Sequence, residues 1–297
     1  MADHTQHHIA ATDGTQLGYR LYAPAADAAA SPNTLPVICL PGLTRNARDF
    51  HPLAKRIITD PKRPRSVVCI DYRGRGSSGR AIDKASYTVA TEAQDVMAVL
   101  DHLAIDRALF IGTSRGGLIL HVLAALAPER LAAIVFNDIG PELGIEGLRQ
   151  IQDYLRAPRR LATWMDARED LKRVHGAAFP SLSETDWAEM AESIYTQDEN
   201  GIVADCDPAI AAAFAAADLT PPLPALWAQF DQFPDIPMLV IRGEHSRLLT
   251  ADTVAAMAAR RPSLQAVVAP GQGHAPLLHR PEIAAPLGAF LASAMHA

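Results

Sequence analysis

Six short apolar runs punctuate the chain, and each is stopped by glycine, proline or a turn-forming cluster. No other feature restricts the fold as strongly, because β-branched runs bounded by turn residues suit strands buried on both faces of a parallel sheet. Leu35–Leu40 ends at Pro41-Gly42, and Ser66–Ile70 runs into Asp71-Tyr72-Arg73-Gly74-Arg75-Gly76. Ala108–Ile111 stops at Gly112, Ala133–Phe136 near Asp138–Pro141, Met238–Ile241 at Gly243 and Leu264–Val268 at Pro270-Gly271. Helical periodicity fills the intervals over Asn46–Ile58, Thr91–Leu103, Arg115–Ala127, Asp252–Arg261 and Glu282–Met295. Strands alternating with helices build βαβ units. The expected product is an α/β fold with one mostly parallel central sheet flanked by helices. Ahead of the runs, His8–Ala11 and Gln16–Tyr22 flank Asp13-Gly14 and predict a β-hairpin. Ala25–Asn33 is small, polar and Pro-containing and reads as a surface loop.

The rhythm breaks once. Pro141–Phe233 holds no β-branched run, only helix-like pieces rich in alanine, tryptophan and charge, punctuated by Pro158, Pro180, Pro208, Pro221, Pro222 and Pro224. A structureless loop of that length is foreign to compact domains. The segment therefore reads as a helical insertion, 141–233, in a core made of 1–140 and 234–297. Trp164, Trp187 and Trp227 lie within it. They either line an apolar pocket or pack the insertion onto the body.

Composition narrows the function classes. Lys and Arg number 27 against 33 Asp and Glu, a net charge of −6, so a nucleic-acid partner has no electrostatic footprint. No apolar stretch approaches the length of a membrane-spanning helix, and the polar start Met-Ala-Asp-His-Thr-Gln-His-His lacks the apolar core of a signal peptide. Cys39, Cys69 and Cys206 make no disulfide framework in a chain of 297 residues. The expectation is a cytoplasmic protein without a membrane partner. His4, His7 and His8 fall in an end expected to fray, and no metal site is expected.

The strongest chemical signal is Gly112-Thr113-Ser114-Arg115-Gly116-Gly117, a Gly-x-Ser-x-Gly sequence after a strand and opening a helix. The glycines let the chain turn within a few residues and leave the Ser114 hydroxyl exposed on a strained bend. A serine needs a base, and His274 in Gly271-Gln272-Gly273-His274-Ala275-Pro276 lies at the end of the last run, where it can reach the same sheet edge. A tetrahedral intermediate needs two N–H donors. Arg115, directly after the serine, supplies one, and Leu43 in Leu40-Pro41-Gly42-Leu43-Thr44 the other.

With these motifs together, the chain resembles the α/β-hydrolase superfamily, of the esterase, lactonase and C–C-bond hydrolase type with a helical cap. The resemblance covers nearly the whole length and includes Asp71-Tyr72-Arg73-Gly74-Arg75-Gly76-Ser77-Ser78. It implies that the insertion lies between the sixth and seventh strands as a lid over the site. It also exposes a departure. The family usually carries its triad acid after the seventh strand, where this chain reads Ile241-Arg242-Gly243-Glu244-His245-Ser246-Arg247-Leu248-Leu249, with Arg247 at the expected place. A guanidinium cannot accept the imidazole's hydrogen bond. Asp138, at the end of the preceding strand, is one replacement, since some family members carry the acid there, and Glu244 is the alternative. Arg45, Arg115 and Arg247 either favour a carboxylate-bearing substrate or point to solvent and pair with surface acids.

The expected function is cofactor-free hydrolysis of a small carboxylic ester or lactone through an acyl-serine. C–C-bond (diketone) hydrolysis and acyl transfer are the alternatives on the same scaffold, and a non-catalytic ligand-binding receptor is the rival from another class.

Overall fold

The computed structural model describes residues 4–25, 34–156, 159–221 and 223–294. The chain opens with the hairpin β1 (Thr5–Ala10) and β2 (Gln16–Tyr22), then β3 (Val37–Leu40), α1 (His51–Ile58), β4 (Val67–Asp71) and α2 (Val89–His102). Next come β5 (Ala108–Thr113), α3 (Arg115–Leu126) and β6 (Leu131–Asn137). The inserted segment holds α4 (Ile145–Leu155), α5 (Trp164–His175), α6 (Glu184–Ile194), β7 (Tyr195–Asp198), β8 (Gly201–Ala204), α7 (Pro208–Ala215) and α8 (Trp227–Asp231). The chain closes with β9 (Met238–Gly243), α9 (Ala251–Arg260), β10 (Gln265–Ala269) and α10 (Pro281–Ser293).

Eight strands form one sheet in the order β1-β2-β4-β3-β5-β6-β9-β10. The pairs β1–β2 and β2–β4 are antiparallel and the rest are parallel. Strand alternation explains the two-sided core, since neighbouring residues project to opposite faces. Ile38 and Leu40 join Val68, Ile70, Phe110 and the apolar faces of α2 and α3. Their neighbours Val37 and Cys39 join Val67, Cys69, Leu109 and residues of α1 and α10 on the other side. Cys39 and Cys69 are paired in register and both are free, buried thiols that fill this second core.

Each predicted run forms a strand, with ends displaced by a few residues. Residues 26–33 of the expected surface loop lie outside the described residues. Asn46–Ile58 is not one helix. A 3₁₀ turn over Ala47–Phe50, capped by Asn46, precedes α1, which restarts with Pro52 in its first turn. The insertion is not all helical either. β7 and β8 form an antiparallel hairpin around a turn at Glu199 and Asn200. Only Ile202 is fully buried there, and the sequence signal for the hairpin was Asn200-Gly201 followed by the short run Ile202-Val203-Ala204. The N-terminal histidines are ordered rather than frayed: His7 and His8 sit in β1, and His7 stacks on Tyr19 with ring centroids 5.2 Å apart. Among the described residues, no helix is long and apolar enough to cross a membrane, and no group of His, Cys, Asp and Glu is arranged to hold a metal ion.

Asp207 ties the insertion to the core. It caps α7 through Ala209 N–H at 3.0 Å and accepts from Lys84 Nζ at 2.5 Å and Tyr87 Oη at 2.7 Å. Burial alone would raise its pKa, but the hydrogen bonds from Lys84 and Tyr87 outweigh that and hold the carboxyl down at about 2. A folded pKa below the unfolded value of about 3.9 means that this tie acts fully above pH 4 and is lost as pH falls towards 2. Asp207→Asn is expected to lower the melting temperature by a few degrees at neutral pH. It should also flatten the acid limb of the melting profile in that window. Parallel wild-type and variant curves between pH 4 and 2, measured by differential scanning fluorimetry, would rule the tie out.

Candidate active site

The bend between β5 and α3 holds Ser114 at φ +51°, ψ −112°. The glycines around it meet backbone. A Cβ at Gly116 would lie 2.2 Å from the Leu40 carbonyl oxygen, and one at Gly112 would lie 2.7 Å from the Gly116 carbonyl carbon. Only hydrogen fits at either position, so the strand can pass directly into the helix and leave the serine proud of the sheet edge.

His274 lies in the loop between β10 and α10, and its ring bridges two elements distant in sequence. Ser114 Oγ is 2.9 Å from His274 Nε2, and His274 Nδ1 is 2.7 Å from Asp138 Oδ2. Asp138 follows β6 at φ +55°, a left-handed conformation, and is completely buried. Its carboxylate is held from two further directions. Gly243 N–H donates to Oδ1 at 2.8 Å and Ser246 Oγ to Oδ2 at 2.6 Å. Ser246 Oγ itself accepts from the N–H groups of Leu248 and Leu249, both at 3.2 Å. The turn after β9 therefore wraps the carboxylate with donors, which fixes its orientation.

The structure resolves the choice of contact for His274. Glu244 does not approach it: its carboxylate accepts from Gly271 N–H at 2.7 Å and braces the loop that carries the histidine. Arg247 turns outward, about two-thirds exposed and 3.9 Å from Glu146, so it is no part of the cavity wall. The turn contributes Ser246 instead. Sequence reasoning missed Ser246 and Gly243, and the available signal was a hydroxyl immediately before the anomalous arginine, in the turn that follows the strand paired with β6.

The other side of the serine is braced by buried charge. Gly42 faces it, since a Cβ there would lie 3.9 Å from Ser114 Cβ. Arg75, fully buried, donates from Nε to the Leu43 carbonyl at 2.5 Å and lies 2.9 Å from the Glu92 carboxylate through Nη1. Glu92 also pairs with the Arg115 guanidinium, which donates to Tyr87 O at 3.1 Å. One buried carboxylate thus links the side chains of residues anchoring both Leu43 and Arg115. In the first turn of α3 the Ser114 carbonyl takes the N–H of Gly117 at 2.9 Å, which leaves the N–H groups of Arg115 and Gly116 as the ones that a helix start can turn to an anion. The Arg115 side chain, being paired inside the core, is not a free cation for a substrate.

These groups open onto a cavity of about 1290 Å³ whose far wall comes from the insertion, with Leu148, Ile151, Leu171, Met190 and Phe214 among its apolar members. Arg45 lines the cavity but is paired twice over with Asp49, Nε to Oδ2 at 2.8 Å and Nη2 to Oδ1 at 2.6 Å. The residues beside it clamp the insertion. Asn46 Nδ2 donates to Ser193 O at 2.8 Å, and Arg48 donates to Glu192 O and Tyr195 O, both at 3.0 Å. The tryptophans do not line the cavity. Trp164 is partly exposed on the surface, and Trp187 is buried against Phe179 in the insertion's own small core. Trp227 packs on Phe230 and donates to Glu142 at 3.0 Å. Trp187 and Trp227 serve packing, because their bulk goes where the insertion has apolar surface to bury.

Comparison with known proteins bears on this arrangement. Residues 36–281 match the sequence model of the alpha/beta hydrolase fold family. The chain is 32% identical to a 3-hydroxybutyrate-oligomer hydrolase of Cupriavidus necator over 253 residues, covering 83% of this chain and 84% of that protein. It is 27% identical to a 2-(acetamidomethylene)succinate hydrolase of Mesorhizobium japonicum over 236 residues, 78% of this chain and 79% of that one. Among solved structures, an alpha/beta hydrolase from Novosphingobium aromaticivorans superposes with a TM-score of 0.88 at 40% identity, covering 98% of this chain and 99% of the other.

Proposed function

The chain is an enzyme of the alpha/beta hydrolase fold family, and from that premise we propose that it is a serine hydrolase cleaving a small carboxylic ester or lactone through an acyl-enzyme. The observation that carries the proposal is the unbroken line from Ser114 Oγ through His274 to Asp138, 2.9 and 2.7 Å, on the wall of a large cavity. In this mechanism the Ser114 hydroxyl adds to the substrate carbonyl as His274 Nε2 takes its proton. Asp138 receives the Nδ1–H bond throughout, holding the tautomer whose Nε2 is free to accept, and stabilises the imidazolium. The N–H groups of Leu43 and Arg115 bind the oxyanion, each worth about 10²–10³ in rate. Collapse expels the alcohol, which takes the proton from His274, and leaves an ester on Ser114. Water then gives a proton to His274 and its oxygen to the acyl carbon. Ser114 departs with that proton, so one ester and one water become one acid and one alcohol.

The inserted segment 141–233 serves as the cap over the site. The similarity to a hydrolase of 3-hydroxybutyrate oligomers supports short hydroxyalkanoate esters as the first substrates to try. Labelling with a fluorophosphonate tests the reading. Expected is one label per chain, mapped to Ser114, together with hydrolysis of p-nitrophenyl butyrate that the label abolishes. A folded wild-type protein that takes no label and hydrolyses no ester would dismiss it.

A further inference from the structure

Three polar side chains on the cap side of the cavity have no use in the mechanism above. Tyr154 lies near the end of α4, His175 closes α5 and Tyr195 opens β7, and all three line the cavity. The Tyr154 and His175 rings meet edge to face, with centroids 5.1 Å apart and planes at 75°. His274 and Ser114 line the same cavity, so the group shares it with the reacting centre. Among the described residues, neither tyrosine hydroxyl and neither ring nitrogen of His175 has a hydrogen-bond partner. All three are part-buried, and polar groups that converge on one cavity are placed to meet a polar group of whatever enters it.

The surroundings say what kind of group that is. The nearby cations are already matched: Arg45 with Asp49, and Arg159 with Asp170, which also holds Arg173 at 2.6 Å. A carboxylate arriving here would face Asp49 and Asp170 as well as the arginines. Burial pushes the Tyr154 hydroxyl up to about 12, and burial together with Arg45 pushes the His175 ring down to about 4, so both are uncharged near neutral pH. Neutral hydroxyls and a neutral imidazole each donate or accept one hydrogen bond, and they suit a neutral oxygen.

We infer that Tyr154, His175 and Tyr195 form a subsite for an uncharged oxygen of the substrate, a hydroxyl or a second carbonyl remote from the bond that is cleaved. The inference rests on the ester-hydrolase reading for the position of that bond. It makes the cap selective for oxygenated over plain alkyl esters.

Binding to Ser114→Ala protein tests it without turnover. Four ligands are titrated calorimetrically: the methyl ester of the 3-hydroxybutyrate dimer, the same ester lacking its terminal hydroxyl, a length-matched fatty acid methyl ester, and the free-acid dimer. The oxygenated methyl esters should bind more tightly than the alkyl ester. Tyr154→Phe and Tyr195→Phe, which keep ring volume, should each weaken them by about two- to tenfold while leaving the alkyl ester within about twofold. Loss confined to the terminal hydroxyl ligand identifies a hydroxyl subsite, and loss shared with the deoxy ester identifies a carbonyl subsite. Equal weakening of all the ligands, or no preference at all, overturns the inference. So does tightest binding of the free acid with loss of that preference in Arg45→Gln. Hydrolysis of the same esters by wild-type protein is measured separately. The binding pattern without Ser114-dependent hydrolysis would keep the subsite and remove the ester-hydrolase reading.

Discussion

Ser114→Ala and His274→Ala are each expected to lower kcat for a p-nitrophenyl ester by about 10⁶, and the double variant to fall no further. The reason lies in the geometry of the pair. The hydroxyl is nucleophilic only as its proton passes to Nε2, 2.9 Å away, so either residue without the other does none of the chemistry. What survives is the contribution of the cavity and of the N–H groups at Leu43 and Arg115, which hold a carbonyl for attack by water and leave a residual rate about 10³–10⁴ above the uncatalysed one. Initial rates over a range of ester concentrations, with a pre-steady-state burst in wild type, separate acylation from turnover. Independent multiplying losses in the double variant, or a Ser114→Ala protein keeping a few per cent of wild-type kcat, would show that the two groups do not act as a unit.

Asp138→Asn should cost about 10⁴ in kcat, whereas Glu244→Gln should stay within about twofold of wild type. The carboxylate now accepts from three donors: His274 Nδ1–H, Ser246 O–H and Gly243 N–H. An amide offers one acceptor oxygen and one NH₂ group. If the oxygen stays with Gly243, the NH₂ faces Nδ1 and Ser246, and it stabilises the tautomer that carries its proton on Nε2, the atom that must accept from Ser114. Ser246 cannot simply turn away, because it already accepts from Leu248 and Leu249. The variant should therefore also lose about 1–3 kcal/mol of stability through a buried donor facing donors. Glu244 has no such duty, and glutamine still offers an oxygen to Gly271 N–H. Kinetics and urea unfolding on the two variants decide the matter. Near-wild-type rates in Asp138→Asn would remove the aspartate from the mechanism.

The strands were legible because a strand covered on both faces must be apolar at nearly every position, and Val37–Leu40 or Leu131–Asn137 shows this in a few letters. Ser114 and His274 were legible because the bend demands glycines at fixed places around the serine, and because the histidine follows the last apolar run, whose end lies at the same sheet edge. Asp138 was only half legible. Nothing local tells an aspartate that caps a strand from one that holds an imidazole; the difference is that β6 pairs with β9 and sets Asp138 against Gly243 and Ser246. The same holds for Glu92. Its two arginine partners lie at 75 and 115, and no spacing rule links them. The hairpin β7–β8 was signalled only by Asn200-Gly201 and three apolar residues, too short a run to stand out among the helical pieces, and the trio of Tyr154, His175 and Tyr195 stayed hidden because polar residues carry little periodic signal. Their meaning comes from which surface they face.

Asn46 and Arg48 grip the backbone of Glu192, Ser193 and Tyr195 from a position only a few residues past Leu43. Under the proposed mechanism, the roof and the loop that would supply one half of the anion trap are thereby tied together. Prising up that corner would either rupture several polar ties at once or drag the peptide proposed to greet the developing negative charge. On that proposal, how easily a guest enters by that corner and how well its reaction proceeds share one adjustment, and a change made to ease the first will be felt in the second.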